Sequence, residues 1–191
     1  MTSQESDTGS KAEIKVETKI NKFPVMELFG PTIQGEGIIA GRRSHFIRFG
    51  GCPFRCKWCD SMHAVDPEKV KANAKWLTAG EICDATCTLA PSRWVTLTGG
   101  DPVMWNLMPL IEVLSRNFNI AVETEGALWY DWLLHCNLIT ISPKGPSSGM
   151  LDKLDHNMLA GHYAAVLPLG GHVAMKIVVF DAEDLQFARD M

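Results

Sequence analysis

The chain contains no apolar run of the roughly 18 to 20 residues that a membrane-spanning helix requires. Its first 22 residues are polar and charged, and they lack the apolar centre of a secretory signal peptide. We therefore expect a cytoplasmic protein that does not associate with membranes.

Positive charge is also scarce, because 18 Lys and Arg against 22 Asp and Glu give a formal net charge of -4. No Lys/Arg-rich run occurs. Surfaces that bind nucleic acid concentrate positive charge against the phosphates, so we expect no nucleic-acid partner. Repeats and low-complexity tracts are absent as well, and 191 residues suffice for one domain with a core but are few for two.

The fold class follows from how short apolar segments alternate with helical ones. Residues 1–22 carry few large apolar side chains, which predicts a flexible polar tail before a single domain at 23–191. Apolar strands separated by helices are typical of a parallel sheet covered on both faces. Five βα units are too few for a closed barrel of about 250 residues, so we predict an α/β fold, an incomplete parallel (βα) barrel. The predicted strands are 45–49, 94–98, 119–123, 138–141 and 174–180.

Three helix starts carry capping signals. Thr78 and Glu81 have the spacing of a capping box, which predicts a helix that runs to residue 90. Asn106 is predicted to cap the next helix and to put Pro109 in its first turn, where a missing N–H costs little. Asp181 is predicted to cap a final helix.

The cysteines are the most informative residues. In a reducing compartment six cysteines are not expected to form disulfides, so clustered ones indicate metal or redox chemistry. Cys52, Cys56 and Cys59 are spaced C-x₃-C-x₂-C just after the first predicted strand, at the edge where parallel folds place chemistry. A [4Fe–4S] cluster normally takes four thiolates. Three leave one iron open to bind the amino and carboxylate groups of S-adenosylmethionine (SAM).

A structural zinc site is the alternative reading of the same cysteines. Such sites usually have four ligands in two pairs, and Cys83 with Cys87 could form the second pair. Those two lie four residues apart within a predicted helix, which favours small core or surface thiols instead. Cys136 stands alone and is interpreted as a buried thiol.

Several ordered motifs carry a family resemblance. The cysteine triplet with Trp58 before its last member resembles the radical SAM superfamily, and residues 98–102 (TGGDP) resemble the glycine-rich segment that holds the methionyl part of SAM. Asp101 stands where relatives often have Glu or Asn. Residues 29–37 (FGPTIQGEG), 59–61 (CDS) and 140–148 (TISPKGPSS) narrow the resemblance to the 7-carboxy-7-deazaguanine synthase family, over about residues 24–190.

The resemblance implies an activity and its requirements. It implies a lyase that converts 6-carboxy-5,6,7,8-tetrahydropterin to 7-carboxy-7-deazaguanine with loss of ammonia, in 7-deazapurine (queuosine-type) biosynthesis. The implied cofactors are a [4Fe–4S] cluster, SAM and Mg²⁺, and the implied partners are a flavodoxin- or ferredoxin-type reductant and a second copy in a homodimer. Members of the family usually continue into a sixth strand, so the chain is expected to be C-terminally short.

The resemblance also implies roles for individual residues. The cluster ligands are Cys52, Cys56 and Cys59, and the Ser61 hydroxyl is the implied ligand of Mg²⁺, a cation that prefers oxygen donors. The implied substrate contacts are Ile33, Gln34, Gly35, Glu36, Arg48 and Thr98, with Arg48 pairing with the substrate carboxylate. The implied cofactor contacts are Trp58, Cys59, Asp60, Gly100, Ser142, Pro143 and Lys144, with Glu123 as a further candidate.

Two other functions remain open at this point. A small radical SAM activase, which installs a glycyl radical on a partner protein, would need a docking surface in place of residues 34–37 (QGEG). A non-catalytic metal-binding interaction module would fit a chain that truly lacks the C-terminal part of the barrel.

Overall fold

A computed structural model describes residues 21–153, 155–166 and 172–191, which form one seven-stranded sheet with the order β3-β1-β2-β4-β5-β6-β7. The strands are β1 (Lys22–Ile33), β2 (Arg43–Phe49), β3 (Lys75–Thr78), β4 (Trp94–Gly99), β5 (Asn119–Thr124), β6 (Leu138–Ile141) and β7 (His172–Met175). The α-helices are α1 (Met62–Val65), α2 (Pro67–Asn73), α3 (Ala79–Cys87), α4 (Met108–Leu114), α5 (His156–Val166) and α6 (Ala182–Asp190). Among these described residues, no helix has both the length and the apolar character needed to cross a membrane.

The parallel core of the sheet confirms the predicted fold class. Strands β2, β4, β5, β6 and β7 pair in parallel and in chain order, and the sheet stays open. The centres of β2, β4, β5 and β6 are buried and that of β7 is half-buried, and helices α3 and α4 pack side chains such as Ile82 and Leu110 into the same core. Because the strands are parallel, their carboxyl ends all reach one edge of the sheet, where the loops between strands and helices meet.

Two antiparallel strands were not predicted. The long strand β1 pairs with β2, with Leu28 opposite Ile47, and β3 extends the sheet beyond β1. Strand β1 contains Pro24 and Pro31, which weaken any strand signal in a sequence, and bulges interrupt its pairing with β2. Of the predicted tail, residues 1–20 lie outside the described residues, and β1 begins at Lys22.

The fifth strand differs from its prediction. The first four strands occur as predicted, at residues 45–49, 94–98, 119–123 and 138–141. The fifth strand, β7, is His172–Met175, so the prediction of strand at 176–180 was wrong. The neighbouring strand β6 ends at Ile141, whose carbonyl accepts the N–H of Lys176 at 2.9 Å. Beyond that bond no strand of the described part of the chain pairs with residues 177–180, and the chain turns towards α6, where the N–H of Phe180 donates to Asp184 Oδ2 at 3.0 Å.

The capping signals mark the starts of α3 and α6 as predicted, whereas the start of α4 differs. Helix α3 has the complete capping box of Thr78 and Glu81, but it ends at Cys87 rather than at residue 90. The N–H of Leu89 turns back to the Thr86 carbonyl, which tightens the end of the helix. A cap at Asn106 would start the helix at residue 107, but α4 begins at Met108 with Leu107 as its N-cap. Asp181 caps α6 as predicted.

Candidate active site

One cavity of about 440 Å³ lies at the carboxyl edge of the parallel strands. That volume suits a small-molecule site, which typically measures about 300–1,000 Å³. Its wall contains all the residues singled out from the sequence as site residues except Pro143, which is buried beside it. The members of that set are Ile33, Gln34, Gly35, Glu36, Arg48, Cys52, Cys56, Trp58, Cys59, Asp60, Ser61, Thr98, Gly100, Glu123, Ser142 and Lys144.

The loop that carries the three cysteines is held by a buried anchor and by backbone hydrogen bonds. Phe54 is 2% exposed and fixes the loop to the core. The Arg55 guanidinium donates to the carbonyls of Cys52 and Phe54, each at 2.7 Å, and the N–H of Cys59 donates to the Cys56 carbonyl at 3.2 Å. The thiols therefore share one short, internally bonded loop on the cavity wall.

Glycines at the end of β4 let that strand lie against the cysteine loop. A Cβ on Gly100 would lie 2.2 Å from the Gly51 carbonyl oxygen, and one on Gly99 would lie 2.1 Å from the Phe49 carbonyl oxygen. The close approach allows the N–H of Asp101 to donate to the Gly51 carbonyl at 2.7 Å. The glycines expected to make room for a ligand therefore also make room for the backbone before Cys52.

The donor chemistry fits an iron–sulfur cluster. The pKa of Cys52 is raised to about 11, mainly by burial and to a smaller extent by Asp101, Cys56 and Cys59, while the hydrogen bond from the Phe54 N–H opposes the rise. Burial also raises the pKa of Cys56, against the opposing charge of Lys144. Thiols in such surroundings ionise when a cation takes up their charge. Within the described ranges no three Cys, His, Asp or Glu side chains converge on one ion position, but a cluster gives each cysteine its own iron.

The second cysteine pair of the zinc alternative lies elsewhere. Cys83 is buried in α3, where its thiol contacts the Val113 carbonyl, and Cys87 is exposed near Asn117. Both thiols therefore lie where α3 packs against α4 and the residues just after it, whereas the cysteine triplet lines the cavity. Cys136 is a buried thiol, as predicted, and burial raises its pKa.

Helix α6 supports the cysteine loop through the turn after β6. Asp184 is fully buried, and its carboxylate accepts the N–H groups of Ser147 and Phe180, each at 3.0 Å. The Ser148 carbonyl in turn accepts the N–H of Lys57 at 2.9 Å, and the Ser147 hydroxyl accepts the Trp58 indole N–H at 2.9 Å. Burial raises the pKa of Asp184, but its hydrogen bonds outweigh that effect and hold it below the usual value.

Lys144 brings a positive charge close to the cysteines. Its Nζ donates to the Ser142 hydroxyl at 2.9 Å and lies 5.9 Å from the centre of the Trp58 ring. Burial lowers the pKa of Lys144, while Cys56 and other acidic neighbours oppose that change. A partly buried ammonium of this kind is stabilised by an anion, which suits the carboxylate of a bound amino acid moiety.

Glu123 joins two of the predicted substrate contacts. Its carboxylate accepts the Gln34 amide at 2.9 Å through Oε1 and the Thr98 hydroxyl at 2.8 Å through Oε2. These bonds link the loop after β1, which carries Gln34, to β4 and β5 across the cavity. Glu123 was a cofactor candidate, and the structure groups it with Gln34 and Thr98.

Arg48 is held in place by a residue that the sequence did not single out. Glu27, opposite Arg48 in the antiparallel register of β1 and β2, accepts the Arg48 Nε–H at 2.6 Å. A terminal nitrogen of Arg48 lies 3.4 Å from the Ser61 hydroxyl, which itself donates to Asp60 Oδ1 at 2.9 Å. Among the described residues its side chain bonds to Glu27 and Ser61, which leaves further guanidinium N–H groups available to bind an anion in the cavity.

Four residues near the site had no motif to reveal them: Glu27, Glu125, Lys176 and Asp184. Lys176 lines the cavity and forms an ion pair with Glu36. Glu125 also lines the cavity, after the end of β5. Each acts through contacts with residues distant in the sequence or through burial, and a single sequence shows neither property.

Comparison with known proteins identifies the family. Residues 33–133 match the model of the 4Fe-4S single cluster domain. The chain is 40% identical to a 7-carboxy-7-deazaguanine synthase of Bacillus cereus, over 90% of this chain and 72% of that protein. It is 39% identical to the enzyme of the same name from Bacillus subtilis, over 87% and 70% of the two chains.

A solved structure has the same fold. The crystal structure of QueE from Escherichia coli superimposes with a TM-score of 0.61 over 88% of this chain and 89% of that one, at 21% identity. The fold, the matching cluster domain and the two relatives agree with one another. The chain therefore belongs to the 7-carboxy-7-deazaguanine synthase family of radical SAM enzymes.

Proposed function

We propose that this chain converts 6-carboxy-5,6,7,8-tetrahydropterin to 7-carboxy-7-deazaguanine with loss of ammonia, in 7-deazapurine biosynthesis. The observation that carries the proposal is that one cavity gathers both groups of family-implied residues, those for SAM and those for the pterin. The names of the two Bacillus relatives support the same reaction. A bound cluster and SAM supply the reaction with a 5′-deoxyadenosyl radical, and the chain has to position and enclose the reactants.

In this proposal Arg48 binds the substrate carboxylate. Glu27 occupies the Nε edge of the guanidinium, so the remaining N–H groups are directed towards Ser61 and the cavity. Charge-assisted pairs between Arg and carboxylate are stronger and more directional than neutral hydrogen bonds. The contact fixes one end of the pterin and thereby the position of the carbon that bears the carboxylate.

Gln34, Thr98 and Glu123 bind the opposite, pyrimidine end of the pterin in this proposal. That end carries an amino group and a ring N–H side by side, which together match the two oxygens of one carboxylate. Glu123 is oriented by Gln34 and Thr98, at 2.9 and 2.8 Å, so its position does not depend on substrate. Glu36 and Ile33 lie on the same side of the cavity and complete the pterin contacts.

We propose that the Ser61 hydroxyl is a ligand of Mg²⁺ and that the cation binds together with the substrate. The Ser61 hydroxyl and the Asp60 carboxylate are adjacent oxygen donors, 2.9 Å apart, of the type that Mg²⁺ accepts. Arg48 lies 3.4 Å from the same hydroxyl, and its charge opposes a divalent cation there. The substrate carboxylate would offset both positive charges, so binding of Mg²⁺ is expected to depend on substrate.

The remaining parts of the proposal rest on the family resemblance. They are a flavodoxin- or ferredoxin-type reductant, a homodimer, and a cytoplasmic location. The cofactor contacts Trp58, Cys59, Asp60, Gly100, Ser142, Pro143 and Lys144 also stay predictions, with Pro143 acting through the shape of its loop rather than from the cavity wall.

The proposed function is tested by turnover. Protein reconstituted anaerobically with iron and sulfide is mixed with SAM, dithionite and the carboxytetrahydropterin, and products are separated by chromatography with ultraviolet detection. We expect 7-carboxy-7-deazaguanine and ammonia in equal amounts. SAM cleavage without any deazaguanine product would contradict the proposed reaction, and transfer of the radical to an added glycyl-radical enzyme would favour the activase alternative.

Replacing Arg48 with glutamine tests the carboxylate contact. We expect Arg48→Gln to lower kcat/KM for the carboxypterin about 10- to 100-fold, mainly through KM, because a hydrogen-bonded charge pair is lost. SAM affinity should stay at the wild-type value. Steady-state kinetics give these constants, and inhibition by tetrahydropterin without the carboxylate should be equal in variant and wild type.

Arg93→Gln is the matched control, because Arg93 is exposed and outside the cavity wall. It should leave kcat/KM unchanged. Equal loss of affinity for the carboxylated and the uncarboxylated pterin in Arg48→Gln would show that Arg48 does not bind the carboxylate.

A further inference from the structure

Glu125 is a buried residue of the cavity wall without a motif or an assigned role. It follows the last residue of β5 and is 4% exposed. Neither of its carboxylate oxygens has a hydrogen-bond partner among the residues that the structure describes. A buried carboxylate without a partner is costly in free energy, and native proteins nearly always supply one. The position therefore suits a donor group that comes from a bound molecule.

The backbone around Glu125 is fixed on both sides. The N–H of Glu125 donates to Asp101 Oδ2 at 3.3 Å, and the N–H of Gly126 donates to the Thr124 hydroxyl at 3.1 Å. The Thr124 carbonyl accepts the N–H of Ser142 at 2.7 Å. Gly126 has a φ of +86°, and a Cβ there would lie 2.7 Å from Ile141 Cγ2. Glu125 is thus held in the wall by bonds to both neighbouring strand ends.

The neighbouring acid, Asp101, is already hydrogen-bonded through both oxygens and does not line the cavity. It follows Gly100 in the segment that the family resemblance assigns to the methionyl part of SAM, and it is fully buried. Its Oδ1 accepts the N–H of Val103 at 2.8 Å, and its Oδ2 accepts the Thr124 hydroxyl at 2.9 Å together with the N–H of Glu125. Of these two acids, Glu125 is the one that lines the cavity and has no hydrogen-bond partner among the described residues.

We propose that Glu125 binds the α-amino group of SAM, an inference that rests on the proposed function because it takes SAM as the cofactor. The amino group is the hydrogen-bond donor of the methionyl part, and the two carboxylate oxygens of Glu125 can accept its N–H groups. Lys144 follows the adjacent strand β6 and carries the opposite charge. The two ends of the amino acid moiety then meet opposite charges, the amino group at Glu125 and the carboxylate at Lys144.

The inference is tested by Glu125→Gln, which keeps the shape of the side chain and removes its charge. In reduced, cluster-loaded protein titrated with SAM and followed by electron paramagnetic resonance, we expect the Kd for SAM to rise about 10- to 100-fold. Iron content and KM for the pterin should not change. Glu112→Gln is the matched control, because Glu112 is exposed on α4, and it should bind SAM as the wild type does.

A second measurement needs neither cluster nor activity. Thermal unfolding of the cluster-free chains should give Glu125→Gln a midpoint equal to or above that of the wild type, because the side chain has no hydrogen-bond partner to lose and an amide costs no more to bury than a carboxyl group. A lower midpoint together with wild-type affinity for SAM would show that Glu125 has a structural role and would overturn the inference.

The two halves of SAM identify which group Glu125 binds. Methionine should bind more weakly to Glu125→Gln than to the wild type, whereas 5′-deoxyadenosine should bind equally to both. Weaker binding of 5′-deoxyadenosine alone would assign Glu125 to the ribose hydroxyls and overturn the amino-group contact. A raised KM for the pterin with unchanged SAM affinity would place Glu125 at the substrate and overturn it too.

The result that would contradict the proposed function differs from the results that would contradict the role of Glu125. Wild-type protein that binds SAM but does not convert the carboxypterin would contradict that function. The difference in SAM affinity between the wild type and Glu125→Gln would still support the role of Glu125.

Discussion

Replacing Cys56 with serine is expected to prevent assembly of the cluster and to reduce turnover below detection. A serine hydroxyl ionises far less readily than a thiol, so it cannot replace the thiolate that iron requires. Burial raises the pKa of Cys56, and the positive charge of Lys144 partly offsets that rise, which helps the thiol to ionise when iron binds. Iron and sulfide analysis after anaerobic reconstitution, together with the visible absorbance of the cluster, measures the effect.

The matched control is Cys87→Ser in helix α3. Cys87 is exposed, and its Sγ lies 3.9 Å from the side-chain nitrogen of Asn117, so serine should be tolerated there. We expect full cluster content and full activity. Loss of bound metal in both variants, with zinc rather than iron in the wild type, would instead support a four-cysteine zinc site and contradict the cluster assignment.

Replacing Gly100 with alanine is expected to have the second-largest effect, on stability and on the cluster together. The new Cβ would lie 2.2 Å from the Gly51 carbonyl oxygen and 2.9 Å from that of Ala64. Both obstacles are backbone atoms, which cannot rotate away as a side chain can. We expect a loss of about 2 to 4 kcal/mol in the free energy of unfolding, because overpacking against a fixed backbone forces strands apart.

The same displacement should impair the cluster, since Gly51 directly precedes Cys52. Urea unfolding of the cluster-free chain measures the stability, and iron content after gel filtration measures the retained cluster. Gly80→Ala is the control, because a Cβ at Gly80 in α3 has no atom within 4 Å and alanine favours helix. Wild-type stability and full cluster content in Gly100→Ala would show that the β4 end does not depend on this close contact.

Local signals in the sequence located most of the parallel core. Four of the five predicted parallel strands occur where runs of apolar residues placed them, because burial on both faces makes such runs continuous. The capping box of Thr78 and Glu81 marked the start of α3, since both of its hydrogen bonds are local. The long strand β1 escaped prediction, because two prolines and irregular pairing obscure its pattern.

The site residues likewise divide into those that a local motif reveals and those that depend on contacts between distant parts of the chain. Residues in short motifs, such as the cysteine triplet and the glycine pair, are recognisable because the chemistry fixes their spacing within one loop. Contacts between distant residues are not: Gln34 meets Glu123 across 89 positions, and Lys176 meets Glu36 across 140. Glu27 and Asp184 orient Arg48 and the turn after β6 in this manner, and neither has a sequence signature.

The sequence by itself determined the fold class and the family and predicts the cluster ligands, because these depend on local periodicity and on the fixed spacing of a metal-binding loop. Only the tertiary structure decided how the charges of the cavity are arranged. Glu123 and Glu125 are two residues apart in one short stretch, yet one is paired with Gln34 and Thr98 and the other is buried without a partner. Burial and pairing arise when separate strands meet at one edge of the sheet, and no local pattern contains that information.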